Sequence, residues 1–179
     1  MKSIKLEGKE IFDDKEIFHI KQNAKTNDFE IDFVVKLAIG GRELRKDGII
    51  PMWFPNYFLI ECKNYKHNVE IGLVSKFYGL MESRGAQLGL FISNKGISGR
   101  GKLRWQHAAS FVNKVNLSYL RAPEPKILLD LSLTELEKLC DDGTNIVDIL
   151  MDIKCDFFND INREIKHESH ENENKIRLQ

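Results

Sequence analysis

Apolar and polar positions along this chain switch between continuous apolar runs and a helical spacing. Residues 29 to 39, with Ile31-Asp32-Phe33-Val34-Val35 at their centre, predict a strand, and the run Tyr57-Phe58-Leu59-Ile60 predicts a second over 57 to 63. Leu88-Gly89-Leu90-Phe91-Ile92 shows no alternation, which predicts a third strand covered on both faces by helices. Between the last two, Leu73, Val74, Phe77, Tyr78 and Met81 recur at three- and four-residue steps, giving one helical stripe from about Val69 to Glu82, ended by Arg84-Gly85. Ala108, Phe111, Val112 and Val115 predict a further helix, and Asn116 to Leu120 a final short strand. The clusters Ile11-Phe12 and Ile17-Phe18-His19-Ile20 fit a helix or an edge strand equally. Strands and helices alternate, so the core is α/β.

The connections carry their own signals. Gly40-Gly41 opens a charged turn running to Gly48, and Pro51 and Pro55 make the following segment irregular. Trp53 and Phe54, set between those prolines, are expected to pin the loop to the core rather than stack on a base. Ser93 to Lys102 reads as a flexible basic loop. Pro123 and Pro125 mark a boundary; Ser132-Leu133-Thr134-Glu135 then resembles a capping box, and another helix is expected from about 145 to 159. The organisation expected is a core over residues 1–122, a small helical C-terminal extension over 123–162, and a polar, disordered tail over 163–179.

Composition narrows the class. With 179 residues, 42% hydrophobic and 30% charged, the chain suits one well-buried core with some addition. No apolar stretch approaches membrane-spanning length, and Lys2, Lys5 and Glu7 interrupt any signal sequence, so a cytoplasmic protein with no membrane partner is expected. Cys62, Cys140 and Cys155 have neither zinc spacing nor an even count, which points to small buried residues. His167 and His170 lie in the polar tail and are not expected to bind metal.

A net charge of zero hides an asymmetry: residues 83–123 carry seven basic and no acidic side chains, while 124–179 carry seven basic and 14 acidic. Lys95, Arg100, Lys102 and Arg104 in that block are candidates for holding nucleic-acid phosphates, although the same charge fits a solvated face balanced by the acidic C-terminal part.

The chemistry gathers at Glu61-Cys62-Lys63. Alternation along a strand sends Glu61 and Lys63 to one side and Cys62 to the other. If the strand carrying Asp32 lies alongside, two carboxylates can share a divalent cation; two hard oxygen ligands suit magnesium, with Lys63 over a coordinated water. Asp47 rivals Asp32, but sits in a charged, glycine-flanked turn, whereas Phe33-Val34-Val35 continues Asp32 as a strand.

Asp32 opening a strand, Glu61-Cys62-Lys63-Asn64 closing another, an amphipathic helix, and then Leu90-Phe91-Ile92-Ser93 with Gly96 and Gly99 together resemble the PD-(D/E)xK nuclease superfamily, in its restriction-endonuclease-like, Mrr-related branch. The resemblance spans roughly residues 29 to 101. Ile31 stands where the superfamily name has proline, and the 28 residues between Asp32 and Glu61 require an insertion between the strands. The resemblance implies a central mixed sheet flanked by helices and a magnesium-dependent phosphodiesterase, with manganese as a substitute. It makes Asp32 and Glu61 metal ligands, the Cys62 carbonyl a third, Lys63 the water-positioning group, and Glu10 (with Glu7 behind it) a candidate for an accessory helical glutamate. DNA is the implied substrate, with RNA left open, in restriction or phage defence, the chain acting as a homodimer or part of a larger defence protein. The contrasting reading is a binding or regulatory module of the same fold without turnover; the intact Asp32, Glu61 and Lys63 favour the enzyme.

Overall fold

The computed structural model describes residues 4–6, 9–11, 15–25, 30–99, 107–118, 126–137, 146–156 and 158–159. The chain divides into two compact units, Met1–Thr144 and Asn145–Gln179. In the second, residues 146–156 and 158–159 are helical, within the span expected from the sequence.

The first unit is built on a five-stranded sheet in sequence order: β3 (Phe18–Lys25), β4 (Glu30–Leu37), β5 (Tyr57–Lys63), β6 (Leu88–Ser93) and β7 (Ile127–Ser132). The first three are antiparallel to one another; β5, β6 and β7 run parallel. Parallel neighbours need crossovers, supplied by α2 (Ile71–Arg84) and α3 (His107–Ser118). The sheet is thus mixed and flanked by helices, as expected. A separate two-stranded sheet pairs β1 (Ile4–Leu6) with β2 (Lys9–Ile11). The ambiguous residues 18–20 belong to an edge strand and not to a helix.

Both faces of the sheet are apolar. On one, Leu59, Phe91 and Leu128 meet Val74, Phe77 and Met81 of α2 and Ala108, Val112 and Val115 of α3 in a single buried cluster. Phe77 stands edge-on to Phe91 at 5.8 Å between ring centres. Elsewhere Phe54 is fully buried between Phe18 and Phe58, at 6.4 and 5.3 Å, and Trp53 packs on it at 5.7 Å. Those two aromatics pin the proline-flanked loop to the core.

Several elements depart from the sequence expectation. The charged turn after Gly40-Gly41 is a helix, α1 (Ile39–Lys46), which lies in the connection between β4 and β5. Its glycines argue against helix by propensity. They are present because the helix start presses on backbone: a Cβ on Gly41 would lie 2.5 Å from the Ile17 carbonyl oxygen, and one on Gly40 2.7 Å from that of Glu16. Residues 116–118, expected in a strand, complete α3, where the Asn116 side chain donates to Leu128 O and accepts from Leu128 N. The last strand lies instead at β7, beyond the prolines, and its end opens α4 (Leu133–Glu137). The capping signal is real: the Glu135 carboxylate accepts from both the backbone N–H and the hydroxyl of Ser132.

The glycines separate tight packing from free space. Gly41→Ala is expected to lower stability by about 1–3 kcal/mol through overpacking against immovable backbone. Gly79→Ala, in mid-α2 with nothing within 4 Å of the added Cβ, should raise it by roughly 0.4–1 kcal/mol. Chemical denaturation of the two variants beside wild type checks both signs.

Candidate active site

The β4–β5 ladder runs from Lys36↔Tyr57 to Phe33↔Ile60, so Asp32 and Glu61 follow next on their strands. There the backbone ladder gives way to a side chain: Asp32 Oδ2 accepts the Cys62 backbone N–H at 2.8 Å. In an extended strand the N–H and C=O of one residue leave on the same edge, so the Cys62 carbonyl also faces the β4 side, where Asp32 stands. On the far side of β4, the ladder to β3 pairs Gln22↔Phe33 and Ala24↔Ile31, leaving Asn23 opposite Asp32 with φ +46°, a left-handed conformation that asparagine tolerates better than most residues. The strand neighbouring Asp32 is therefore bent at the level of the site.

Glu61 and Lys63, two apart on β5, share a face as the alternation requires. Lys63 Nζ donates to Glu61 Oε1 in a short contact and lies 4.0 Å from Asp32 Oδ2. One ammonium thus serves two carboxylates, leaving the trio with net charge −1. Both partners of the Glu61–Lys63 pair have raised pKa values, for different reasons. Burial pushes Glu61 above the ordinary carboxylate range, and the Asp32 charge adds to it while Lys63 pulls only partly back. For Lys63, burial works against the charge, but the hydrogen bond and charge of Glu61, with Asp32 adding, outweigh it and hold the ammonium above its usual value. The second Glu61 oxygen, Oε2, is buried with no hydrogen-bond partner among the described residues. An unsatisfied buried acceptor of this kind costs about 1–3 kcal/mol, more when charged. A hard divalent cation would satisfy it and neutralise the excess charge, so Asp32, Glu61 and the Cys62 carbonyl fit such an ion. Among the described residues there is no cluster of three or more His, Cys, Asp or Glu side chains suited to a metal.

The carboxyl ends of the parallel strands form the rim. Asn64, Tyr65, Lys66 and His67 follow β5 and are exposed; Asn94 and Lys95 follow β6 and are exposed. The two loops are tied: Asn94 Nδ2 donates to Asn64 Oδ1, and Asn68 Nδ2 to Lys95 O, both at 2.7 Å. The segment expected to be a flexible loop is anchored over residues 94–99, because Ile97 is buried, bridges to Val69, and its N–H points to Asp130 Oδ2 at 3.4 Å. Asp130 lies in register with Phe91, itself in register with Glu61. This buried acidic residue inside the run Ile127 to Leu131 passed unnoticed in the sequence, where an aspartate between leucines was its only signal.

Of the residues expected from the sequence, Asp32, Glu61, Cys62 and Lys63 come together. Asp47 instead caps the C-terminal end of α1, its backbone N–H bonded to Glu43 O. Lys95 stands on the rim, while Arg100, Lys102 and Arg104 lie outside the described residues. Glu10 is carried by a strand, β2, opposite Lys5, and not by a helix. Tyr65, Lys66 and His67 lie outside the basic block 83–123 and match no motif, so the sequence alone does not single them out.

Cys62 points away from this chemistry. Burial, with the Asp32 and Glu61 charges adding, pushes its thiol up to about 12, so it stays protonated at neutral pH. Iodoacetamide applied to the folded protein at pH 8 is expected to label exposed Cys155 well before half-buried Cys62, as read by peptide mass mapping; equal labelling of the two would contradict the raised thiol pKa of Cys62.

Comparison with known proteins returns no match among curated proteins and none among solved structures. A family model described as restriction endonuclease, that of the Mrr catalytic domain, matches residues 8–117, which take in β2 to β6, α1 and α2, and so nearly all of the sheet and its strand-end carboxylates. The chain belongs to this restriction endonuclease family and is a nuclease-type hydrolase.

Proposed function

We propose that this chain is a divalent-cation-dependent endonuclease that hydrolyses phosphodiester bonds of DNA. Asp32 and Glu61 hold the cation, the Cys62 carbonyl is a third ligand, and Lys63 positions the attacking water. The observation that carries this reading is the bond from the Cys62 N–H to Asp32 Oδ2, which sets both carboxylates and the ammonium around one strand end. Magnesium bound there, with manganese as a substitute, lowers the pKa of a coordinated water and neutralises charge on the scissile phosphate.

The chain's own residues supply the rest. Glu61 stands beside fully buried Phe91 in register, a floor that keeps water from one side of the carboxylate. Lys63 brings a fixed positive charge to where the pentacovalent oxygens gather. Lys66 and Lys95 on the tied loops hold flanking phosphates, with Arg100, Lys102 and Arg104 assigned the same role from the sequence; such contacts position a duplex without reading its bases. In-line attack leaves a 5′-phosphate. A role in restriction or phage defence is proposed here on the family likeness alone.

Supercoiled plasmid, linear duplex, single-stranded DNA and RNA, each with magnesium, manganese or EDTA, test the proposal. Wild type should cut DNA only with metal, Lys63→Ala should lose about 100-fold or more, and Asp32→Ala should lose far more than Asp47→Ala. Equal cutting by Asp32→Ala and wild type would overturn the ligand assignment; no cutting by folded wild type would favour a binding module.

Glu61 also yields a stability prediction. Its folded pKa lies above the unfolded one, so proton binding favours the folded state. That contribution is complete below the ordinary glutamate pKa and is lost as pH rises through the folded value. At neutral pH the ionised carboxylate therefore destabilises the metal-free protein. Glu61→Gln should raise the melting temperature at pH 7.5, with the gain shrinking toward pH 4, while abolishing cleavage.

A further inference from the structure

The site continues past Lys63 into the next strand. Ser93 ends β6 and is the register partner of Lys63 across the parallel ladder, so both side chains stand on one face of the sheet. Lys63 lies between Asp32, on the β4 side, and Ser93, on the β6 side. The strand ends are locked immediately beyond this pair by the bond between Asn94 Nδ2 and Asn64 Oδ1. Ser93 is 4% exposed, and its hydroxyl is buried without a hydrogen-bond partner among the described residues. Its neighbour on the other side, Ser132, gives its own hydroxyl to Glu135 Oε2 at 2.7 Å. Across the ladder on the β5 side, the register partner of Ser93 is Lys63. A hydroxyl has two acceptor lone pairs and a lysine ammonium three donors. In this structure those donors are drawn to Glu61 and Asp32.

We propose that Ser93 is a positioning residue for Lys63: when a divalent cation engages Asp32 and Glu61, the ammonium turns from them and donates a hydrogen bond to the Ser93 hydroxyl, leaving its other protons for water and phosphate. The physical need is plain, since a cation on the two carboxylates repels an ammonium lying between them. A lysine released on its flexible four-carbon stem would otherwise sample many rotamers. Ser93 gives it one acceptor on the side away from the cation, at the depth of the reacting groups. This inference rests on the role given above to Lys63 but makes a separate claim about β6.

The test observes the Lys63 ammonium directly by nuclear magnetic resonance in the full chain, assigned through Lys63→Arg, with magnesium alone as the probe. Wild type, Ser93→Ala and Ser93→Thr should give the same metal-free signal. Saturating magnesium should shift it and keep it sharp in wild type and Ser93→Thr, and broaden it by solvent exchange in Ser93→Ala. Cleavage should follow, with kcat lowered about 10-fold or more in Ser93→Ala, KM and melting temperature unchanged, and rescue in Ser93→Thr. Identical magnesium-bound signals in wild type and Ser93→Ala overturn the proposal, as does a signal that magnesium leaves unmoved in wild type. A loss of activity that tracks a fall in melting temperature and is not rescued by threonine makes Ser93 structural and overturns it too. Wild type that cuts no substrate counts against the endonuclease reading alone, because the Lys63 signal still decides the role of Ser93.

Discussion

The constraint on which the site depends is the replacement of a backbone ladder by a side chain at the end of β5. The Cys62 N–H must find an acceptor, and it finds Asp32 Oδ2 where the regular β4–β5 pairing has stopped. That bond orients the Asp32 carboxylate and fixes its height beside Glu61. It also requires the two strands to be held in one register by everything beneath them. Phe54 and Phe58 pack together, while Leu59 and Phe91 lie under α2 and α3. The core therefore serves the site by holding two strand ends within hydrogen-bonding distance.

Electrostatics set the character of the site. Two carboxylates and one ammonium leave an unbalanced negative charge, and burial makes that charge expensive on Glu61. A site selected for stability alone would have matched the charges or replaced Glu61 by an amide. A raised carboxylate pKa and an unsatisfied Oε2 are a trade of stability for chemistry of the kind functional sites make. Membership in the restriction endonuclease family gives that trade a purpose, phosphodiester hydrolysis.

Much of this was legible in the sequence for a physical reason. β5, β6 and α2 carry strong local patterns, continuous apolar runs and a three-four stripe, and Glu61-Cys62-Lys63 needs only strand alternation to place its side chains. Other parts depend on distant partners. Gly40 and Gly41 look like a turn until the carbonyls of Glu16 and Ile17 are seen against them. Asn116 looks like the start of a strand until its side chain is found docking α3 onto Leu128. β7 was hidden behind two prolines, and Asp130 within it behind four apolar neighbours. The described rim takes Lys95 from the basic block and Lys66 from the loop after β5, which the block does not include.

Calorimetric titration of the metal-free chain with magnesium, comparing wild type with Asp32→Asn, tests most directly whether the strand end is a cation site. One cation per chain in wild type, lost in Asp32→Asn with the melting temperature otherwise kept, is the expected result. Equal magnesium binding by the two proteins would contradict the claim that the Asp32 carboxylate holds the cation.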